Sequence, residues 1–390
     1  MLSIKLAYKN LVGAGLRTLL NVFILSVAFV MIIMQNGFIQ GWNKQARHDV
    51  IEWQYGQGQY WAGDFDPYDP FTYEDAHAAI PKALTQARQE GNIAPILISQ
   101  ATVYPEGRLK SIMLKGIDPG QQTLAIPSEA LAGDGEDIRA IMGSRMAMNL
   151  KAEEGDLLLV RWRDANGMFD AVEVKVSGIF HADVPAIDLG QIWISIQDMQ
   201  QMLGLGDEAT IIAVNDPSLA AMDLPGWEFQ DLDTLLYDMD QMIQSKSIGN
   251  AVMTFILLAL ALLAIFDTQV LSIFRRQKEI GTFIAMGMTR KQVIGVFTVE
   301  GTMHAIMALI MGAIWGIPFL LWLKKTGLPM PEGVDQMGLP ISESIIPAYS
   351  LGLVMISVLI VTITTAIVSY MPARKIAKMN PNDAIRGKIQ

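Results

Sequence analysis

The stretch FRRQKEIGTFIAMGMTRKQ occupies residues 274–292 and lies between two long apolar segments, which makes it a short loop on one side of a membrane. Arg275, Arg276, Lys278, Arg290 and Lys291 stand against one acid, Glu279, and short loops rich in Lys and Arg stay cytoplasmic. Ile280, Phe283, Ile284 and Gly287 recur at helical spacing, so a short amphipathic helix with one apolar stripe is expected. Thr289 followed by Gln292 has the pattern of a capping box that starts the next helix. Topology alone accounts for the basic residues. An apolar stripe turned to the cytosol goes further and reads as a docking surface for a partner.

Working outward, the 390 residues are 51% hydrophobic and 17% charged, too apolar for an ordinary soluble enzyme. The net charge of −10 hides a segregation of sign. Lys5, Lys9 and Arg17 open the chain without an acid, and Arg374, Lys375, Lys378, Arg386 and Lys388 close it against Asp383 alone. Between residues 40 and 247, 32 acids face 14 bases. Basic ends and an acidic middle indicate a protein facing two compartments, and argue against nucleic acid as a partner. The chain has no cysteine, which excludes disulfides, thiol catalysis and cysteine-bound metal.

The expected organisation is an amphipathic cytoplasmic helix over 1–17, a first span over 18–39 and a large outer domain over 40–247. A second span over 248–274, the basic loop over 275–292 and a third span over 293–323 follow. An outer loop over 324–347 holds Pro329, Pro331, Pro340 and Pro347; a fourth span over 348–371 then ends at Pro372, before a cytoplasmic tail over 372–390. The first span is read as an uncleaved anchor, because Gln35-Asn36-Gly37-Phe38 follows it instead of small residues of the A-x-A kind. Both termini are then cytoplasmic.

Within 40–247, segments 93–103, 111–116, 156–162, 172–180 and 191–196 read as strands. Segments 73–88 and 135–150 read as helices, and Asp164-Ala165-Asn166-Gly167 as a hairpin turn. Some 200 residues suffice to bury a core, so the middle is a folded α+β domain, with two subdomains suggested by the spread of its strands. The fold class is an α-helical membrane protein with four transmembrane helices and a large α+β extracytoplasmic domain between the first two.

Few residues invite chemistry. No G-x-x-x-x-G-K-[ST] loop exists; Arg386-Gly387-Lys388-Ile389 lacks its spacing and hydroxyl, so the chain does not bind ATP by that motif. His48, His77, His181 and His304 are scattered, H-E-x-x-H and G-x-S-x-G are absent, and no metal site or catalytic residue is expected. Glu300 and His304 share one helical face inside the third span, as a satisfied pair or a functional one. Asp267, two turns before Arg275, reads as a group pairing with bases near the interface. Ala308, Gly312 and Gly316 form a small-residue stripe that lets helices approach closely. Trp53, Tyr55, Tyr60, Trp61, Phe65, Tyr68, Phe71 and Tyr73 crowd the stretch after the first span, as core and anchors or as an apolar binding surface. Asp64, Asp66 and Asp69 among them fit a solvated loop better than a calcium site.

Several of these residues carry a resemblance. Arg275-Arg276-Gln277-Lys278-Glu279-Ile280-Gly281, followed by Ala285-Met286-Gly287 and a run to Ile294, is similar to the R-x-x-E-I-G…A-x-G stretch of the FtsX-like (MacB-type) permeases of ABC transporters. Glu300, Gly312 and Gly316 match the start of that family's third span. Met371-Pro372-Ala373-Arg374 with Pro381 to Arg386 resembles its P-A-R-x-A…P-x-x-A-L-R ending, with Ile385 in place of Leu. Gly116-Ile117-Asp118-Pro119 resembles its G-I-D-P.

The resemblance covers nearly the whole chain, and in layout the lipoprotein-releasing LolC and LolE permeases are nearest. It implies a coupling helix docking on a separate ABC ATPase, through Arg275, Arg276, Lys278, Glu279, Ile280, Gly281, Phe283, Ile284, Gly287 and Arg290. It also implies two ATPase copies that bind the ATP and magnesium, so that this chain has no cofactor of its own. A second permease chain, the same or a paralogue, is implied too, together with an outer domain of two subdomains, one ferredoxin-like. The expected work is mechanotransmission in a bacterial inner membrane, releasing a lipoprotein toward a periplasmic chaperone. Residues 21–37 and 248–266 would line a lateral entry from the membrane lipids. Export of a drug or peptide with an adaptor and outer-membrane channel, and activation of a cell-wall hydrolase, are the alternatives.

Overall fold

The computed structural model describes residues 15–133, 135, 137–182, 184–216, 218–219, 222–329 and 344–377. Most of the amphipathic start, Pro331, Pro340 and the basic tail beyond residue 377 lie outside the described residues. The chain divides into two compact units.

The first unit is helical. Helix α1 (Leu16–Val50) is followed by a π-helical turn at Ile51–Tyr55. Helix α2 (Ser144–Leu150) and helix α3 (Ile196–Leu203) of the second unit come next in chain order, and then α4 (Tyr237–Arg275), α5 (Gln277–Ala285), α6 (Arg290–Thr326) and α7 (Leu351–Ala377). Helices α1, α4, α6 and α7 are each long and apolar enough to cross a membrane. At 1.5 Å per residue α4 extends roughly 58 Å, about twice the hydrocarbon thickness, so it continues well beyond the second span read from the sequence. Hydropathy marks only the lipid-embedded part of such a helix.

Val22, Leu25, Phe29 and Ile32 of α1 pack with Leu258, Ala261 and Ile265 of α4, Ala305 and Ala308 of α6, and Val361 of α7. Phe255, Leu263, Ile314 and Leu359 point outward, as lipid-facing side chains must. Pro372 does not end the last helix, which runs on to Ala377. Ala373 is buried against Ile273, Ile280 and Phe297, and this packing carries the helix past the one hydrogen bond that proline removes.

The second unit is built on nine strands: β1 (Gln59–Ala62), β2 (Ile93–Val103), β3 (Lys110–Ile117), β4 (Ile138–Gly143), β5 (Leu157–Arg163), β6 (Phe169–Phe180), β7 (Gln191–Ser195), β8 (Ile211–Val214) and β9 (Trp227–Gln230). Their order is β9-β1-β8-β2-β3-β7-β4-β6-β5, and β5 pairs again with β2, closing six strands into a ring. Strand β2 achieves this by length: its first residues pair with β8 and its last three with β5. Pairing runs without a break, so the two subdomains expected from the sequence share one sheet, and β2 is the strand common to both. Alternate residues of β2 feed two cores. Ile93, Leu97, Ala101 and Val103 enter one, and Ala94, Ile96 and Ile98 the other.

Two expected helices are corrected. Residues 73–88 hold a short ladder at Ala78–Ala79 and a 3-10 turn at Lys82–Leu84 before a helical turn at Thr85–Gln89. Pro81 supplies no N–H and biases Ile80 away from helical angles. In 135–150 only α2 is helical, because Ile138–Gly143 is a strand between β6 and β7. From Ala140 to Gly143 that strand is buried on both faces and reads as a continuous apolar run. The hairpin at 164–167 closes as expected, with Gly167 N–H donating to Asp164 O. Asp66 and Asp69 accept from the backbone N–H of Tyr68 and Phe71, which is turn chemistry.

Candidate functional site

The basic loop forms the short helix α5. It departs from α4 at Arg276, and α6 restarts with the full capping box of Thr289 and Gln292. Gly287, at φ +98°, lets the chain turn between them, in a conformation strained for a residue with a Cβ.

The apolar stripe faces the opposite way from the sequence expectation. Ile280 is 2% exposed and packs with Ile273, Val293, Phe297 and Ala373; Phe283 and Ile284 lie half-buried on the same cluster, and Gly281 is buried. The physical reason is local: a nine-residue helix beside three longer ones spends its apolar face anchoring itself to them. The solvent side of the loop carries Lys278, Glu279 and Thr282 of α5, with Arg275 at the end of α4, Met286 just past α5 and Arg290 at the start of α6. Met286 is 70% exposed, an apolar side chain that the stripe pattern had passed over.

Arg276 fixes the base of α5. Its Nη1 donates to Glu300 Oε2 at 2.9 Å and its Nε to Glu279 Oε2 at 2.8 Å, while the guanidinium lies 5.1 Å from the Phe297 ring centroid. Glu300 is 5% exposed, so this charge-assisted pair is largely dry and joins the loop helix to α6. His304 is buried one turn on, its Nδ1 3.0 Å from the Glu300 carbonyl oxygen. Asp267 takes no part: it is exposed on α4 and makes no ion pair among the described residues. The buried polar residues near this end of the bundle are instead Gln269, Thr365 and Ser369. Isolated polar residues inside the spans were the available signal for them.

The small-residue stripe sits where helices touch. Ala308 is fully buried, and a Cβ on Gly316 would stand 2.4 Å from Val30 Cγ2 of α1, closer than carbon atoms approach. Gly312 faces Ser26 of α1 with ordinary room. Gly301, which the sequence reading did not single out, is tighter still against Ser369 of α7.

Toward the other end of the bundle, amides clasp α1 to α4. Gln35 Nε2 donates to Asn250 Oδ1 at 2.8 Å, and Asn250 Nδ2 donates to Asn36 Oδ1 at 2.9 Å. Beside this clasp a cavity of about 770 Å³ opens between α1, α4 and α7, lined by Ile32, Ile39, Phe255, Leu258, Ile356 and Ile360 among others. No cluster of metal-ligating side chains occurs among the described residues.

Residues 251–381 match the family model described as FtsX-like permease C-terminal. The lipoprotein-releasing system transmembrane protein LolC of Xylella fastidiosa strain Temecula1 is 23% identical over 347 residues, covering 80% of this chain and 81% of LolC. LolC of strain 9a5c is 24% identical over 348 residues, with the same coverage. An uncharacterised ABC transporter permease of Methanocaldococcus jannaschii is 24% identical over 168 residues, 41% of this chain and 39% of that one. The matched domain takes in most of α4 and all of α5, α6 and α7, so this third of the chain is similar to the C-terminal domain of FtsX-like permeases.

Proposed function

We propose that the chain is the non-catalytic membrane subunit of a mechanotransmitting ABC transporter that releases lipoproteins from the inner membrane. The observation that carries the mechanism is the Arg276–Glu300 pair. A push on α5 reaches α6 through a short, desolvated ion pair, and α4 continues from the same junction as one helix of 39 residues. Force enters at the solvent side of the 275–290 loop, where Arg275, Lys278, Met286 and Arg290 meet a separate ATPase; Arg276, Ile280, Phe283 and Ile284 pass it inward. Two ATPases and a second permease chain complete the assembly. The sheet unit lies outside the cytoplasm and both termini lie within it, as the basic loop and basic ends require.

The lipoprotein substrate is supported by two things: likeness to LolC across four-fifths of the chain, and the apolar cavity between α1, α4 and α7. That cavity overlaps the segments expected to line a lateral entry, and its size and lining suit acyl chains. The amides of Gln35, Asn36 and Asn250 then form a clasp that opens as the two helices part.

The test is lipoprotein distribution between inner and outer membranes after depletion of this chain, read by quantitative mass spectrometry. Accumulation of lipoproteins in the inner membrane is the expected result. An unchanged distribution sinks the release function and leaves export or hydrolase activation in its place.

A further inference from the structure

Trp53, Tyr55, Trp61, Phe65, Tyr68 and Tyr73 converge on a cavity of about 350 Å³ within the sheet unit. Its floor is one face of the sheet, read across the strands in register. Trp61 of β1 stands beside Ile211 of β8, Ile211 beside Ile96 of β2, Ile98 beside Lys115 of β3, and Lys115 beside Trp193 of β7. Met113 and Gln191 form a flanking pair on the same face. At the rim the Tyr68 hydroxyl donates to Asp238.

Among the described residues, the Lys115 ammonium, the Trp193 indole N–H and Gln191 Oε1 on this floor have no hydrogen-bond or ion-pair partner. Lys115 Nζ lies 5.0 Å from the Trp193 ring centroid, and no carboxylate among the described residues is within ion-pair distance of it. Trp193 is 1% exposed and its indole N–H has no acceptor. Gln191 Oε1 is buried without a donor, while its amide nitrogen is used on the Ala186 carbonyl oxygen. Burial pulls the Lys115 ammonium from its ordinary 10.5 down to about 8.

The other titratable groups around the cavity are phenols and the rim acid. Burial raises Tyr55 and Tyr73, and the hydrogen bond to Asp238 lifts Tyr68 to about 12, so all three stay neutral near pH 7. Lys115 on the floor and Asp238 at the rim are therefore the charges. An unpaired cation and two orphaned polar atoms in an apolar row cost free energy that an aliphatic residue at 115 would avoid. Such an arrangement, in a concave aromatic site of ligand size, marks a binding site.

We propose that this cavity binds a small organic carboxylate with an aromatic or aliphatic body, its carboxylate on Lys115 and its body between Trp61, Phe65 and Tyr73. Asp238 repels a carboxylate at the rim and so orients it inward. A free small acid and the C-terminus of a peptide with an apolar last residue share this chemistry. The site is independent of the membrane cavity and of any lipoprotein passing through it.

The full-length chain in lipid nanodiscs, dialysed to equilibrium against labelled 3-phenylpropionate or N-acetyl-Ala-Phe with empty nanodiscs as blank, tests the assignment. Saturable binding of at least one acid is expected, weakened tenfold or more when the carboxylate is replaced by the alcohol or the terminal amide. Preference for the first acid identifies a free small molecule as the natural source, and preference for the second a peptide end. Lys115→Met is expected to lose the same tenfold. Phe65→Ala, at a half-exposed wall position, weakens the acid and its neutral analogue alike. Absence of saturable binding of both acids, or wild-type affinity in Lys115→Met, overturns the proposal.

Discussion

Arg276 in the membrane unit and Lys115 in the sheet unit are both drawn partly out of water, yet only one of them has a carboxylate partner among the described residues. The Arg276 side chain is 18% exposed and holds two carboxylates, one of them almost dry. Lys115 lies against an indole ring and faces a cavity. The difference separates two uses of a buried charge. A paired charge is a strut, whose loss leaves its partner stranded. An unpaired one burdens the folded state.

The largest effect expected from this comparison is at the strut. Arg276→Met removes this short ion pair from the buried Glu300, and should cost about 3–5 kcal/mol in thermal or denaturant unfolding of the purified chain. Adding Glu300→Gln should recover much of that loss. If the single and double variants unfold alike, the pair is no strut.

At Lys115 the expected sign is reversed. Its ammonium titrates at about 8 in the folded chain and 10.5 in the ordinary state, so below pH 8 both states are charged and only the folded one is burdened. Lys115→Met should therefore stabilise the unliganded chain near pH 7 by up to about 3 kcal/mol. The advantage should shrink as pH rises from about 8 toward 10.5, because the unfolded chain binds the extra proton across that window and the wild type gains stability there. A variant less stable than wild type at pH 7 would make Lys115 a structural residue and end the contrast.

Gly316→Val comes next, at about 1–3 kcal/mol through overpacking against Val30. Val30→Ala should rescue it, and the unfolding midpoints of the single and paired variants decide the point.

The smallest effect on stability is expected on the solvent side of the 275–290 loop. Met286→Asp and Lys278→Glu should each shift stability by less than about 0.5 kcal/mol, as surface changes do. They should still lower permease-stimulated ATP turnover by the partner ATPase. Ile280→Asp should instead unfold the loop helix. Full turnover in Met286→Asp would move the docking face elsewhere.

Much of the membrane unit was legible in the chain because each span announces itself by length and by bounding charges. The capping box at Thr289 and the close approach at Gly316 followed from local rules and spacing. The direction of the α5 stripe was not legible. Helical periodicity says that Ile280, Phe283 and Ile284 share a face, and says nothing about whether that face meets solvent or Phe297. In the sheet unit, five strands were read from alternation or β-branched runs, whereas Ile138–Gly143 was taken for helix because burial on both faces erases the alternation. The aromatic crowd was visible as composition. Its division, with Tyr60 inside the core, Phe71 89% exposed and six others around one cavity, was not.

By itself the sequence determined four helices long and apolar enough to cross a membrane and the presence of a folded domain between the first two, since hydrophobic length acts through solvent and needs no partner in the chain. Only the tertiary structure decided which buried charges are matched. Arg276 meets Glu300 across 24 residues, and Lys115 meets Trp193 across a parallel strand pair. Those encounters are set by register and helix packing, which depend on every neighbour at once and leave no local trace in the chain.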